Sequence, residues 1–223
     1  MKTIIINGAG SDVAKHCIQV LKKKYKLITI SRTTKHKGDN ILNFNLNNLN
    51  DLKDLLEKIN ENFLTWIHFG AIREQSLLID NDVESIQKSI DINFLPNFFA
   101  VKYLAPKMIS KKFGRFIFVN SSKANLGDVG SFAYSLGKGC NDTLQKNIVL
   151  ELSRFNITSN MLLLGYFDTN MWNNLDPIIR KNLISEVPNK SLSDINSISS
   201  TIDYLINNPS VNNAKIKIDN GLI

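Results

Sequence analysis

TIIINGAGSDVA, residues 3–14, is the stretch on which the fold turns. Thr3-Ile4-Ile5-Ile6 is a short, almost wholly apolar run, as expected of a strand buried on both faces. From Val13 the spacing changes. Apolar residues fall at 13, 14, 17, 18, 20 and 21, with lysines after them, which predicts a helix over Val13–Tyr25. Asn7-Gly8-Ala9-Gly10-Ser11-Asp12 lies between the two. A plain tight turn explains that composition. So does a phosphate cradle, because small residues admit a pyrophosphate to the backbone and a helix N-terminus supplies amide donors.

The rest of the chain decides in favour of the cradle. Strand-like runs are predicted at Leu27–Ile30, Ile41–Asn45, Trp66–Phe69, Arg115–Asn120, Ile157–Leu163 and Lys215–Ile218. Helical spacing is predicted over Leu49–Ile59, most of Val83–Ile109, Ser131–Phe155, Pro177–Ile184 and Ile195–Ile206. Alternation of this kind builds an α/β fold: a Rossmann-like, doubly wound parallel β-sheet with helices on both faces. No repeat or linker divides the chain, so one domain over residues 1–223 is expected. The link from Ser31 to Asn40 is too short for a helical crossover, so a loop or single turn is expected there.

Composition narrows the class. With 43% apolar and 21% charged residues the chain reads as globular and not disordered. Nothing of 18 or more apolar residues occurs, so no membrane span is expected, and MKTIIINGAG is broken by glycine too early for a signal peptide. Cys17 and Cys140 show no ligand-like spacing and are expected as buried free thiols in a cytoplasmic protein. No metal is expected. The net charge of +7 raises nucleic-acid binding, but the basic clusters are small, scattered and not interleaved with aromatics. No nucleic-acid partner is expected.

Two further motifs carry chemistry. The predicted second strand ends in Ser31-Arg32, followed by Lys35-His36-Lys37. An acidic residue there would hold a bare ribose, whereas cations suit a 2′-phosphate, so NADP is expected in preference to NAD. The stretch AYSLGKGCND, residues 133–142, sets Tyr134 and Lys138 one helical turn apart on one face. A cation beside a phenol lowers its pKa and makes it a proton donor near neutral pH, although a surface lysine beside a packed tyrosine has the same spacing.

In the order and spacing of these motifs the chain resembles the short-chain dehydrogenase/reductase family nearly end to end, in layout nearest its 3-oxoacyl-[acyl-carrier-protein] reductases. That family carries Tyr-x-x-x-Lys, as Tyr134 and Lys138 do here, and a serine about thirteen residues earlier, matched by Ser121 with Ser122 as the neighbouring alternative. It carries an asparagine in the preceding long helix, matched by Asn93, and Pro-Gly-x-x-x-Thr after the next strand, matched by Leu164-Gly165 and Thr169. Asp219-Asn220-Gly221 is similar to its closing Asp-Gly-Gly. The resemblance implies a cofactor site of Gly8, Gly10, Ser11, Asp12, Val13, Ser31, Arg32, Asn45, Leu46, Gly70, Ala71, Tyr134, Lys138, Gly165 and Thr169. It implies that Tyr134 protonates a carbonyl while a nicotinamide gives hydride. Lys138 would lower the phenol pKa and hold the ribose, Ser121 would hold the substrate oxygen, and Asn93 would hold a relay water.

The chain also departs from the family pattern. Asn7, Asp12 and Ala14 stand where Thr, Gly and Gly are usual, and His68-Phe69-Gly70-Ala71 replaces Asn-Asn-Ala-Gly. Asp12 near a diphosphate is repulsive unless it turns away. The loss of the asparagines that brace the strand leaves His68 with a structural role. Residues 170–188 are expected to form an apolar flap with Arg180 and Lys181 at its edge, and Lys111, Lys112 and Arg154 to be where an acidic carrier docks. The implied substrate is a carbonyl compound, a 3-oxoacyl thioester on acyl carrier protein or coenzyme A, a keto-sugar or a small ketone. The resemblance implies a homodimer or homotetramer through the helices of 83–109 and 131–155, which outward apolar residues such as Phe98, Phe99 and Ile148 would suit. The competing reading is a catalytically idle NADP-binding sensor of the same fold, which the altered motifs favour and the intact Asn93, Ser121, Tyr134 and Lys138 oppose.

Overall fold

In the computed structural model, which describes every residue except 33, 47, 123, 125, 126 and 223, seven strands form one parallel sheet. They are β1 (Thr3–Asn7), β2 (Lys26–Ser31), β3 (Ile41–Asn45), β4 (Leu64–His68), β5 (Gly114–Ser121), β6 (Ile157–Leu164) and β7 (Lys215–Ile218). Their order is β3-β2-β1-β4-β5-β6-β7, every pair parallel. The chain winds outward from β1 through β2 to β3, then returns to β4 and winds the other way. Ligands bind at such a reversal, in the crevice outside the strands' carboxyl ends. Asn7, Ser31, His68, Ser121 and Leu164 all lie at that edge.

The α-helices described between the strands are α1 (Asp12–Leu21), α2 (Leu49–Lys58), α3 (Val83–Asn93), α4 (Leu95–Lys111), α5 (Phe132–Leu152), α6 (Asn170–Asn173), α7 (Pro177–Glu186) and α8 (Asn196–Asn207). Side-chain alternation along β1 feeds both layers. Ile4 and Ile6 pack with Ala14, Cys17 and Ile18 of α1 and Ile202 of α8. Ile5 packs on the other face with Leu52 and Leu56 of α2, Leu104 of α4 and Ile148 of α5. Each such side chain, fully buried, contributes roughly 1.5–3 kcal/mol.

The predicted elements are present with shifted ends. Ser11 caps α1 by accepting from the Ala14 amide (3.2 Å), and the helix ends at Leu21 instead of Tyr25, its last residues continuing as turns. The expected single helix over Val83–Ile109 is two, broken at Phe94 (φ −124°), after which Pro96 sits in the first turn of α4, where a missing amide costs nothing. The helix expected to reach Phe155 becomes 3-10 after Leu152 and stops at Asn156, whose φ is +58°. The short α6 went unforeseen. Among the described residues no helix interrupts the link from β2 to β3, as expected. Cys17 is buried, and burial pushes its thiol up to about 12; Cys140, expected buried, is only half-buried. Among the described residues no helix is long and apolar enough to cross a membrane.

Candidate active site

The crevice is shaped by backbone contacts between the first and fourth strand ends. Gly8 has φ +76°, and a Cβ there would lie 2.1 Å from the Gly70 nitrogen. A Cβ on Gly70 would lie 2.6 Å from the imidazole Cε1 of His68. Only glycine at both positions lets the two loops touch. Gly165 is held in the same way after β6, where an added Cβ would meet Asp219 at 2.7 Å.

Asp12 faces away from this cradle. Its Oδ2 accepts the Asn170 amide at 2.8 Å and its Oδ1 pairs with Lys15 (3.3 Å). The Asn170 N–H, and then Lys15, hold its carboxyl below the usual range against some desolvation. The repulsion of a diphosphate is thus relieved, and α6 is tied to the start of α1. Asp12 also opens the first turn of α1, where a carboxylate is favoured.

The loop after β2 folds onto the glycine turn. Ser31 Oγ donates to the Thr34 carbonyl (2.6 Å), and Leu46 N donates to the Ser31 carbonyl (3.0 Å). His36 is buried; its Nε2 lies 2.9 Å from the Ala9 carbonyl and so carries the proton. His36 therefore belongs to the turn and is not a phosphate ligand, which corrects its place in the expected basic pocket. Arg32, Lys35 and Lys37 are exposed beside it, and Asn45 is exposed at the end of β3.

At the other side of the crevice β5 delivers Ser121 and α5 delivers Tyr134. The Ser121 hydroxyl is near enough to act on the Tyr134 phenol. Ser122, the alternative, is buried with its Oγ on Asp219 (2.5 Å). The helix pair that sets Tyr134 is tight: Ser89 Oγ donates to the Ala133 carbonyl (2.6 Å), and a Cβ on Gly137 would lie 2.7 Å from Ser89 Oγ.

Electrostatically the pair differs from expectation. Burial pushes the Tyr134 phenol above its ordinary value, and the Ser121 hydroxyl and the Arg73 charge pull it back only in part. Lys138 is not the cation that acts on it. Its ammonium is buried and donates to the Val119 carbonyl (2.9 Å), and desolvation pulls it down to about 8. Arg73 takes the neighbouring place, its Cζ 5.9 Å from the Tyr134 ring centroid, held by Asp128 at 2.6 Å.

Asn93 is fully buried. Its Nδ2 donates to the Ile72 carbonyl (3.1 Å) and to Ser89 Oγ (2.9 Å), and its Oδ1 accepts the Ile72 amide (3.2 Å). Both its donors are committed to protein, so the side chain clamps the loop segment that carries Arg73 and has no donor left for a relay water. A chain of buried amides runs beneath. Trp66 Nε1 donates to Asn97 (2.8 Å), Asn97 to Asn141 (2.8 Å), and Asn141 to the Asn93 carbonyl (3.1 Å).

His68 restores the brace that the lost asparagines would have given. Its Nε2 lies 2.8 Å from the Ile92 carbonyl and its Nδ1 3.1 Å from Asn7 Nδ2, so Nε2 carries the proton and Nδ1 accepts. Asn7 Oδ1 in turn accepts the Gly8 amide (3.0 Å). Asn7 and His68 thus exchange roles with the usual residues as a pair and join β1, β4 and α3.

After β6 the flap begins. Thr169 caps α6, accepting from the Trp172 amide (3.3 Å). Tyr166 packs against Trp172 (centroids 5.4 Å apart), and its hydroxyl is buried with no hydrogen-bond partner among the described residues. Trp172, Pro177 and Ile184, with Arg180, Lys181 and Lys190, line a pocket under α7. Lys111, Lys112 and Arg154 lie elsewhere. Lys111 and Lys112 precede the start of β5 and Arg154 the start of β6, at the opposite end of the sheet from Ser121. At about 3.3 Å per residue that end is some 20 Å away, so within one chain they do not border the crevice.

The structure therefore brings together Gly8, Gly70, Ser121, Tyr134, Lys138 and Asn93 around one strand reversal. Arg73, Tyr166 and the buried Asn97 and Asn141 were missed. Asn97 and Asn141 could have been found: each is a polar residue on an apolar helix face, four after Asn93 and three after Lys138.

A family model described as short chain dehydrogenase matches residues 2–178. Among curated proteins the chain is 28% identical over 222 residues to the 3-oxoacyl-[acyl-carrier-protein] reductase FabG of Buchnera aphidicola subsp. Baizongia pistaciae, covering 93% of this chain and 90% of that protein. It is 24% identical over 217 residues to FabG of Rickettsia prowazekii, with the same coverage. A solved short chain dehydrogenase family protein from Francisella tularensis subsp. tularensis SCHU S4 matches with TM-score 0.87 at 21% identity, covering 100% of this chain and 98% of that one. ElxO with NADP bound matches with TM-score 0.87 at 20% identity, covering 99% and 98%. At such identities these two structures speak for the fold alone.

Proposed function

The chain belongs to the short chain dehydrogenase family and is an NAD(P)-dependent oxidoreductase, and from that premise we propose that it reduces a ketone with NADPH, with Tyr134 as proton donor. The observation that carries this is the Tyr134 phenol, set close to the Ser121 hydroxyl at the mouth of the strand reversal.

The crevice suits a dinucleotide. The Gly8–Gly70 contact leaves a backbone-lined cradle, the α1 N-terminus follows it, and Asp12 is turned aside to Asn170. Gly10, Ser11, Val13, Ala71, Gly165 and Thr169 would complete the wall, with Asn45 and Leu46 towards the base. Ser31 and Arg32, with exposed Lys35 and Lys37 beside them, would favour a 2′-phosphate. When bound there, NADPH supplies the hydride.

The protein's own part is proton transfer and charge placement. A phenol held above its ordinary pKa stays protonated through the neutral range, so Tyr134 arrives as an acid. Ser121 donates to the same substrate oxygen as negative charge develops on it. Lys138, a buried cation, adds positive potential behind the crevice, and Asn93 fixes the Ile72 backbone that forms its wall.

For substrate we favour a 3-oxoacyl thioester. The flap pocket pairs apolar Trp172 and Ile184 with Arg180, Lys181 and Lys190 on the crevice side of the sheet, which suits an acyl chain on an anionic carrier arm. The groove of Phe94, Phe98, Val101, Leu144 and Ile148 between α4 and α5 suits a homodimer, and the free thiols suit the reducing cytoplasm. The test is a carbonyl panel run with NADPH and NADH in parallel. NADPH consumption with acetoacetyl thioesters is expected. Cofactor binding without turnover of any carbonyl would point instead to an idle sensor.

A further inference from the structure

As a proton donor, Tyr134 ends the reduction as a phenolate, in a place where burial disfavours that charge. A buried anion is costly unless a donor or a cation meets it. Ser121 supplies one hydroxyl. Lys138, one turn away, spends its ammonium on the Val119 carbonyl (2.9 Å).

The loop after β4 brings another cation. The Arg73 guanidinium stands over the Tyr134 ring, Cζ to centroid 5.9 Å, within reach of a cation–π contact. Three sets of contacts fix it there. Asn93 grips the preceding residue, donating to the Ile72 carbonyl (3.1 Å) and accepting the Ile72 amide (3.2 Å). Ser76 N, three residues on, donates to the Gly130 carbonyl (3.0 Å), and Ser76 bridges to Ser131, which leads directly into α5 and Tyr134. Asp128 Oδ2 accepts from Arg73 Nη2 at 2.6 Å. Holding a long, partly exposed side chain in one geometry costs rotamer entropy, and an ion pair at such exposure offsets little of it. The fixing therefore points to a use for the charge.

The other groups around Tyr134 leave that use to Arg73. On α3, Ser89 and Asn93 are uncharged, and Lys88 is paired with Glu74 (2.5 Å). Tyr166, after β6, is a neutral phenol that burial pushes up to about 12, with the Glu186 and Asp128 carboxylates adding to the shift.

We infer that Arg73 is the electrostatic partner of Tyr134: its guanidinium, fixed by Asn93 through Ile72 and by Asp128, stabilises the phenolate that forms in the reduction. In that step the Tyr134 O–H bond breaks and its electron pair stays on the phenolate oxygen. The proton joins the substrate oxygen as hydride from NADPH adds to the carbonyl carbon. Arg73 touches no reacting atom; it is a positioning residue that acts through Tyr134, and Asn93 acts through Arg73. This rests on the reading of Tyr134 as the acid and deepens it.

Arg73→Met, Arg73→Lys and Asp128→Asn are compared with wild type by the single-turnover rate of NADPH oxidation with ethyl acetoacetate, alongside KM and the NADPH dissociation constant. Arg73→Met should slow the step about tenfold, the factor of one pKa unit on the phenol, with KM and NADPH affinity little changed. Arg73→Lys keeps a cation and should recover most of that loss. Asp128→Asn removes the counter-charge while its amide oxygen still accepts the guanidinium N–H, so the step should speed up about two- to threefold. A loop with a purely structural role would give the other sign, with Asp128→Asn slowed as Arg73→Met is. An Arg73→Met rate equal to wild type, a slowed Asp128→Asn, or a loss confined to KM overturns the inference and leaves the reductase reading standing. A wild type that turns over neither ethyl acetoacetate nor any other carbonyl of the panel overturns both.

Discussion

The buried imidazole of His68 gives the fold a pH sensitivity that can be worked from the structure. Burial, and then the Lys138 charge, pull His68 down to about 3, and only its bond to the Ile92 carbonyl opposes this. In the unfolded chain it titrates near 6.5. Between those two values the unfolded state binds the extra proton and the folded state does not, so stability is lost as pH falls through that window. At about 1.4 kcal/mol per unit, the loss from pH 7 to pH 4 is roughly 3 kcal/mol from this one group. Lys138 keeps its proton over the whole range and adds no slope. His68→Gln removes the titration. At pH 7 it should cost about 1–3 kcal/mol, because Asn7 and Ile92 lose well-placed partners. Urea unfolding of both proteins at pH 7, 6, 5 and 4 reads the difference, in which the carboxylates common to both cancel. The variant's deficit should shrink with each step and be gone or reversed by pH 4. Stability curves that stay parallel from pH 7 to 4 would refute the buried neutral imidazole.

Lys138 should set the alkaline limb of activity: kcat/KM for ketone reduction falls as pH rises through about 8, where its ammonium loses the proton. In Lys138→Arg, which stays charged, that limb should move above pH 10, and a profile identical to wild type would exclude Lys138 as its source. Asp12→Ala should free α6 from α1, so limited proteolysis within residues 166–190 should speed up severalfold while global stability changes by less than about 1 kcal/mol; unaltered cleavage would mean the tether does not hold the flap. Gly8→Ala should abolish NADPH binding, because its Cβ cannot coexist with the Gly70 backbone and its φ is left-handed; retained binding would show that the cradle is not where the dinucleotide sits.

The alternation of strands and helices was legible because each buried strand is a short run rich in apolar residues and each helix keeps its apolar period. Ends were less so. Phe94 breaks a helix that periodicity carries straight through, and Asn156 stops another by turning left-handed. At the site, spacing singled out Tyr134 and Lys138 and the family resemblance singled out Ser121 and Asn93, but spacing is silent on where a side chain's charge goes. Lys138 is one turn from Tyr134, yet its ammonium is drawn to the Val119 carbonyl, and the cation beside the phenol comes from a loop sixty-one residues earlier in sequence. The substitutions at 7 and 68 looked like separate losses until their side chains were seen bonded to each other. Tyr166 carried no signal beyond its place after Gly165, and its unpaired hydroxyl is visible only in three dimensions.

Everything functional rests on the Tyr134 hydroxyl acting as the acid, and Tyr134→Phe removes that atom and little else. NADPH binding, followed by cofactor fluorescence, should be within about threefold of wild type, while NADPH consumption with ketone substrate falls by roughly 10²–10⁴. Turnover that survives the substitution at more than a tenth of the wild-type rate would contradict the account.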